Sequence, residues 1–342
     1  MQNFAEIAGA RLMIGFDGVD LTDNLKRFIK DFRIGGVILF SRNIENPKQL
    51  ATLCENIQEY AKTTGLSPLF IAIDQEGGTV SRLGVPFTQF PKGAPGFVTV
   101  DNTVEFAEIT ALELNASNIN MDMAPVLDIA PKGFGSFIEK RALGATPESV
   151  AKLGLAMIKS FQSNGIIPVG KHFPGIGRTI LDSHIELPVF DDTLESLRAF
   201  DLIPFQAAIE AGLDAVMLSH ILYSELDNAN PASISVKIVK ELLRDEMGFN
   251  GVVMTDDMDM GAIVENYGYA DAVTKALAAT VDIILVCHES DKIEQTFNML
   301  RQDAETNRES AQAAYERIMR LKYKYLMDEP EADVNACAAQ IS

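Results

Sequence analysis

Short apolar runs rich in β-branched residues recur along the whole chain, and most of them are continuous rather than alternating. A continuous apolar run is typical of a parallel strand that is covered on both faces. Segments with helical periodicity separate the runs, so predicted strands and helices alternate. The predicted strands cover residues 10–16, 35–40, 69–74, 120–126, 166–173, 215–220, 251–257 and 282–287.

Two of the predicted helices begin with a clear start signal. Asn46-Pro47 places an N-cap residue before a proline at the first helical position, and Thr146-Pro147 repeats this arrangement. Gly165 follows the second of these helices and is expected to end it. Residues 304–327 predict a final charged amphipathic helix.

The alternation of eight strands with helices predicts an α/β fold of the (β/α)₈ TIM-barrel type. A doubly wound open sheet is the structural alternative, but the sequence lacks its glycine-rich phosphate turn after the first strand. We find no internal repeat and no Gly/Ser linker. The sequence therefore predicts a single barrel domain over residues 1–327, followed by an acidic, alanine-rich tail at 328–342 that we expect to be frayed.

Composition and charge narrow the class of protein. The 342 residues are 47% hydrophobic and 23% charged, which is ordinary for a globular protein with a large core. A formal net charge of −19 argues against nucleic acid or an anionic membrane as a partner. No apolar run approaches the roughly 20 residues that span a bilayer, and the N-terminus lacks a signal-peptide pattern.

The cysteine pattern indicates the redox state of the cellular compartment. Cys54, Cys287 and Cys337 are widely spaced and form no CxxC, which is typical of free thiols in a reducing environment. We therefore predict a cytoplasmic protein. The sequence leaves the oligomeric state open, and a monomer is the expectation.

Polar residues gather where the predicted strands end. Barrel enzymes carry their chemistry at the carboxyl ends of the strands, and all four histidines of this chain fall at that rim or in a loop above it. The candidates are Asp74, Lys171, His172, His220, Asp256, Asp257 and His288.

Several of these candidates also have a purely structural interpretation. Asp256 could be a nucleophile, a metal ligand or a helix cap, and Asp74 with Arg82 could form only a turn and a surface salt bridge. Lys171 and His172 are neighbours on one strand, so we expect one side chain to reach the site while the other braces it. A buried lysine would need an acceptor.

The segment GKHFPGIGRTILDSH, residues 170–184, places Asp182 two positions before His184. A carboxylate that accepts the imidazole Nδ1–H fixes the tautomer and raises the basicity of Nε2, which suits a general acid–base. A structural histidine is one alternative. Another is a metal site formed with His172, but the glycine- and proline-rich segment suits a moving loop better than a fixed metal site. We therefore predict neither a metal nor a cofactor.

Five segments, taken in their order along the chain, carry a family resemblance. They are AIDQEGGTVSR, APVLDI, KHFPGIGRTILDSHIELP, SHILYSELDNANPAS and GVVMTDDMDMGAI. Together they resemble the barrel domain of glycoside hydrolase family 3, specifically its bacterial β-N-acetylglucosaminidases. The resemblance runs from about Gly9 to Leu326.

The resemblance implies a role for each matching residue. Asp256 corresponds to the nucleophile, with Thr255 in place of the family's serine, and Asp182 and His184 correspond to an acid–base pair on the loop after strand 5. Two-domain members of the family take a glutamate acid–base from a second domain, for which we expect no room here. The residues implied to bind the sugar are Asp74, Arg82, Arg141, Lys171 and His172, with His220 as a further rim histidine.

The activity implied by the resemblance is that of a retaining β-N-acetylhexosaminidase. Its substrate would be a small carbohydrate with a terminal β-linked N-acetylglucosamine, as in cell-wall muropeptide fragments. Two alternatives stay open. One is a phosphorylase of β-N-acetylglucosaminides or β-glucosides, because a neutral imidazole does not repel phosphate. The other is a barrel that binds sugar without cleaving it.

The sequence departs from the family pattern at four positions. Ile176 stands where the family has the histidine of a GHG segment, and Thr79 stands for the arginine of GGRV. Ala142 and Leu143 replace a serine and an aromatic residue. We expect these changes to alter the lining near the sugar pocket and the loop hinge, which leaves the exact substrate open.

Overall fold

Eight short parallel strands form the centre of the protein. The computed structural model describes residues 3–91, 93–179 and 187–327. The strands are β1 (Leu12–Ile14), β2 (Gly36–Leu39), β3 (Phe70–Ile73), β4 (Met121–Asp122), β5 (Ile167–Phe173), β6 (Ala215–Leu218), β7 (Val252–Met254) and β8 (Ile284–Val286).

Each strand pairs in parallel with its neighbours along the chain, from β1 through to β7, and β8 pairs with β1. In the last pairing Leu12 lies opposite Ile284. A parallel bridge between Met254 and Ile283 brings the two remaining edges together. The sheet therefore curves into a barrel, and the predicted (β/α)₈ fold is confirmed.

Helices surround this sheet. They are α1 (Phe4–Ala10), α2 (Asp23–Phe32), α3 (Pro47–Thr63), α4 (Val100–Ala116), α5 (Pro147–Ser163), α6 (Leu194–Ala199), α7 (Leu202–Glu210), the π-helical α8 (Lys237–Glu246), α9 (Gly261–Tyr267), α10 (Tyr269–Ala278), α11 (Ser290–Thr306) and α12 (Arg308–Leu326). No helix among the described residues is both long and apolar enough to cross a membrane.

The predicted helix boundaries at α3 and α5 are confirmed by their capping contacts. The Asn46 side chain accepts a hydrogen bond from the backbone N–H of Gln49 at 3.0 Å. Thr146 does the same for Ser149 at 3.3 Å. Gly165 follows α5 with φ of +76°, a left-handed conformation that glycine adopts at little cost.

The final helix begins later than predicted. Residues 304–306 belong to the end of α11, and α12 starts only at Arg308. Asn307 separates the two, because its backbone, with φ of −116° and ψ of 50°, lies outside helical geometry. Its carbonyl oxygen accepts the N–H of Ala311 at 3.0 Å, as an N-cap residue does. The predicted tail at 328–342 lies outside the described residues.

Helix α12 covers the amino-terminal mouth of the barrel. Ile318 and Leu321 pack against the apolar cluster inside the barrel, and Arg317 binds Asp282, which lies just before β8. Lys324 likewise binds Asp214, just before β6. With this end covered, the opposite end of the barrel holds the candidate site.

Candidate active site

A pocket of about 330 Å³ lies at the carboxyl ends of the strands. Its wall contains the predicted nucleophile and every predicted sugar-binding residue except His220. These residues are Asp74, Arg82, Arg141, Lys171, His172 and Asp256. The structure therefore brings together six side chains whose positions span more than half of the sequence.

Lys171 is the buried cation at the base of this wall. Its ammonium donates to Asp74 at 2.8 Å and lies 2.6 Å from Glu76, so two of its three N–H bonds point to carboxylates. Arg82 binds the other Asp74 oxygen at 3.1 Å. Burial alone would raise the pKa of Asp74, but Lys171 and Arg82 outweigh it and hold that pKa well below its usual range. Both Lys171 and Asp74 are therefore charged at neutral pH.

Glu76 joins this cluster from a short hairpin after β3. The hairpin pairs Gln75–Gly77 with Val80–Ser81 in antiparallel fashion. The Glu76 carboxylate accepts hydrogen bonds from Nε and Nη2 of Arg141 at 2.8 and 2.7 Å. Burial opposes its charge, but Lys171 and Arg141 together lower the pKa of Glu76. Glu76 thereby holds two of the predicted sugar-binding cations.

His172 is held by Asp128, a residue of the APVLDI segment. The Asp128 carboxylate lies 2.7 Å from the ring Nδ1 of His172 and also accepts the backbone N–H of His172 and of Ile176. On the other side of the ring, Nε2 lies 3.3 Å from Nη2 of Arg141.

The expectation that only one of Lys171 and His172 reaches the site is wrong. Both side chains line the pocket. The alternation of side chains assumes a regular strand, whereas the register of β5 against β6 shifts between Gly170 and Phe173. The Lys171–His172 peptide bond is cis.

Asp256 lies in the turn that follows β7. Its backbone N–H donates to the carbonyl oxygen of Leu218 at 3.2 Å, and its carboxylate accepts the N–H of Asp257 at 2.8 Å. The Asp257 carboxylate in turn accepts the N–H of Cys287 at 3.1 Å. The turn is thus fastened to β6 on one side and to the end of β8 on the other.

His220, two residues after β6, contacts the same turn and is not part of the pocket wall formed by the described residues. Its Nε2–H donates to the carbonyl oxygen of Asp257 at 3.0 Å, because a carbonyl can only accept. Nδ1 then accepts the Ser233 hydroxyl hydrogen at 2.7 Å. Sugar binding by His220 stays a prediction from the resemblance, and its contacts suit support of the Asp256 turn.

The wall next to Asp256 carries a second carboxylate–histidine contact. The Nε2 atom of His288 lies 3.4 Å from Asp257, and Arg42 lies 3.5 Å from its Nδ1. Burial raises the pKa of Asp257 to about 7. Burial and the nearby charge of Arg42 lower the pKa of His288. Both shifts favour the neutral form of the group concerned.

The alternative of a metal site formed by His172, Asp182 and His184 includes two residues outside the described part of the chain. Residues 3–91, 93–179 and 187–327 contain no group of three His, Cys, Asp or Glu side chains placed to hold a metal ion. Asp182 and His184 lie outside this described part of the chain, so their predicted acid–base contact is not part of the structure.

The four departures from the family pattern are not among the described residues that line the pocket, although Thr79 and Ala142 are next in sequence to Val80 and Arg141, which do. Ile176, Ala142 and Leu143 are buried in the core, and Thr79 is exposed. The predicted effect of these changes near the sugar pocket and at the loop hinge stays a prediction.

Sequence reasoning missed Glu76 and Asp128. Both lie in segments that were singled out, AIDQEGGTVSR and APVLDI. For Asp128 the available signal was an acidic residue within an apolar segment, which must find a donor when it is buried. Glu76 follows Asp74 and Gln75 and had no such signal. Which donor it finds depends on the fold.

Comparison with known proteins gives the family. The model of the glycosyl hydrolase family 3 N-terminal domain matches residues 9–321. A β-hexosaminidase of Thiobacillus denitrificans is 38% identical over 300 residues, which cover 85% of this chain and 82% of the relative.

Solved structures agree with this match. A family 3 β-N-acetylglucosaminidase from Paenibacillus sp. str. FPU-7 superimposes with a TM-score of 0.91 at 34% identity, covering 98% of this chain and 66% of that one. NagZ from Neisseria gonorrhoeae, in complex with N-trifluoroacetyl-D-glucosamine, gives a TM-score of 0.76 at 30% identity and covers 96% and 95%. This chain therefore spans about two-thirds of the Paenibacillus protein and nearly all of the Neisseria protein.

The matched family model covers the barrel and the residues of its pocket, and the relatives share the same fold over most of the chain. The protein therefore belongs to glycosyl hydrolase family 3 and is a glycoside hydrolase.

Proposed function

We propose that the protein is a retaining exo-β-N-acetylglucosaminidase that releases terminal β-linked N-acetylglucosamine. The observation that carries the proposal is that Asp256 shares one pocket with Asp74, Arg82, Arg141, Lys171 and His172. A volume of about 330 Å³ is at the low end for ligand pockets, which suits a single sugar unit. The names of the relatives, β-hexosaminidase and β-N-acetylglucosaminidase, support the choice of sugar.

The polar wall suits a sugar because it offers charged donors and acceptors in fixed positions. Lys171 and Arg141 donate, and the Asp74 carboxylate accepts. Hydrogen bonds between a charged group and a hydroxyl are stronger than those between neutral groups. The ion pairs within the wall also hold these side chains before the sugar arrives, which lowers the entropy lost on binding.

In the proposed mechanism an Asp256 carboxylate oxygen attacks the anomeric carbon, and the bond to the leaving oxygen breaks. The imidazolium of His184 gives its proton to that oxygen. In the second step neutral His184 takes a proton from water, which attacks the anomeric carbon and frees the Asp256 carboxylate. Asp182 would hold the imidazole in the required tautomer. The roles of His184 and Asp182 rest on the family resemblance.

We further propose that the natural substrates are cell-wall muropeptide fragments and that the protein acts as a monomer in the cytoplasm. The muropeptide substrate rests on the family resemblance, and the NagZ complex with N-trifluoroacetyl-D-glucosamine supports only the glucosamine unit. Cys54 and Cys287 are buried free thiols, which suits a reducing compartment.

The test is a product assay on aryl β-N-acetylglucosaminides and aryl β-glucosides, with and without phosphate. We expect free N-acetylglucosamine of β configuration as the first product, the glucoside to be the poorer substrate, and no sugar 1-phosphate.

Asp256→Ala should remove almost all turnover, and a 2-fluoro glycoside should label Asp256. Asp245→Ala, at an exposed ion pair, is the control. Near-normal turnover of Asp256→Ala would refute the nucleophile assignment, and an α product would refute retention.

A further inference from the structure

The Asp128 carboxylate is fully buried and lies behind the pocket wall. It follows β4, and its hydrogen bonds within the described part of the chain go to the end of β5 and the residues just after it. One oxygen accepts the backbone N–H of Ile176 at 2.9 Å, and the other lies 2.7 Å from Nδ1 of His172. The backbone N–H of His172 points between the two oxygens, 3.2 Å from each. A single carboxylate thus binds both the backbone and the side chain of His172.

The two ends of the His172 ring require the same tautomer. A carboxylate accepts hydrogen bonds, so Nδ1 must carry the proton that points to Asp128. A guanidinium only donates, so Nε2, 3.3 Å from Arg141, must present its lone pair. The tautomer is therefore assigned from two independent partners, one behind the pocket wall and one in it.

We propose that Asp128 is a positioning residue, which holds His172 in the Nδ1–H tautomer so that the pocket meets an acceptor at Nε2 beside a donor at Arg141. Without ligand, the Nε2 lone pair faces Arg141 Nη2 at 3.3 Å. A hydroxyl that replaces this long contact can accept from Arg141 and donate to Nε2. An ammonium group would meet the Arg141 charge, and a carboxylate would meet the Nε2 lone pair. This part of the wall therefore favours a neutral hydroxyl, such as one of a sugar. This reading of the ligand rests on the proposed function.

Asp128→Asn is the informative variant because it separates tautomer control from support of the backbone. The asparagine oxygen can still accept the N–H groups of Ile176 and His172. Its amide nitrogen, however, replaces an acceptor by a donor opposite Nδ1. The ring must then accept at Nδ1 and place its proton on Nε2, where it faces the Arg141 donor.

The matched control is Asp227→Asn. Asp227 is also buried and accepts the backbone N–H groups of Ala229 and Asn230. Its other contacts in the described part of the chain include the Ser235 hydroxyl and no histidine. It therefore tests the loss of a buried capping carboxylate without a change of imidazole tautomer.

The experiment records long-range ¹H–¹⁵N correlations of ¹⁵N-histidine in the wild-type protein and both variants, with His172→Gln to assign the signal. We expect the Nδ1–H tautomer in the wild type and in Asp227→Asn, and the Nε2–H tautomer in Asp128→Asn. With an aryl β-N-acetylglucosaminide, Asp128→Asn should raise KM by about 10- to 100-fold with a smaller effect on kcat, by analogy with the partners that orient metal-binding histidines.

Two results would overturn the proposal. One is a wild-type spectrum with the proton of His172 on Nε2 or on both nitrogens. The other is an Asp128→Asn protein that keeps the Nδ1–H tautomer and an unchanged KM. The spectra need no substrate, so a protein that shows the expected tautomers but does not cleave N-acetylglucosaminides would refute the proposed function and leave the role of Asp128 standing.

Discussion

Glu76 and Arg141 form a two-pronged ion pair in the pocket wall, with the carboxylate 2.8 Å from Nε and 2.7 Å from Nη2. The Glu76 side chain is only 3% exposed, and the same carboxylate lies 2.6 Å from Lys171. Removing it would leave two cations facing each other in a largely buried place. Arg141 and Lys171 line the pocket, whereas Glu76 is not among the described lining residues. The stability of the pocket wall therefore depends on Glu76, which lies behind it.

We expect Glu76→Ala to lower the free energy of unfolding by about 3–5 kcal/mol, the usual result when one partner of a buried ion pair is removed. Urea unfolding at neutral pH measures this. Glu246→Ala is the matched control, because Glu246 forms a similar two-pronged pair with Arg198 at the surface, where a much smaller loss is expected. Equal losses in the two variants would contradict the argument.

His184→Ala is expected to lower turnover of an aryl β-N-acetylglucosaminide by about 10²–10⁴-fold, the contribution of a positioned proton transfer. The loss should be largest for aryl groups that leave poorly without a proton, and smallest for the most acidic phenols. Steady-state kinetics over a series of phenols measures this slope. A loss that is the same for every phenol would argue against His184 as the acid.

The burial of Lys322 leads us to expect that the free energy of unfolding increases with pH. Its side chain is 2% exposed inside the barrel mouth, 3.5 Å from Ser67 and above the ring of Phe70. Burial lowers the pKa of Lys322 to about 7. The unfolded chain binds this proton up to about pH 10.4, so between pH 7 and 10 the unfolded state holds more protons and stability rises with pH.

Lys322→Met should therefore stabilise the protein most below pH 7, by an amount on the order of 4 kcal/mol, and very little above pH 10. Urea unfolding midpoints of the variant and the wild type at pH 6, 8 and 10 measure the difference. A gain that does not depend on pH would show that better packing, and not the buried charge, is its cause.

Chelation separates the proposed mechanism from a metal-dependent one. The double displacement uses Asp256 and His184 without a metal ion, so activity should survive dialysis against EDTA unchanged. Added Zn²⁺ or Mg²⁺ should not raise the rate of the dialysed protein. A loss on chelation that the metal restores would refute the proposal.

Much of the architecture followed from local patterns. Continuous apolar runs marked all eight strands, and the Asn46 and Thr146 caps marked the starts of α3 and α5, because both signals depend on neighbours within a few residues. Local periodicity failed at Asn307, where a change of backbone conformation divides a helical stretch into two helices.

Residue chemistry and family resemblance also predicted which side chains would meet. Asp74, Arg82, Arg141, Lys171, His172 and Asp256 do line one pocket. Their catalytic and binding roles stay predictions, and the acid–base pair Asp182–His184 lies outside the described residues.

The sequence by itself determined the strand and helix order and the residue types at the carboxyl end of the barrel. Only the tertiary structure decided their partners: Glu76 binds Arg141 across 65 positions, and Asp128 binds His172 across 44. The physical reason is that apolar period and capping are local properties, whereas a buried charge is satisfied by whichever group the closed barrel brings beside it.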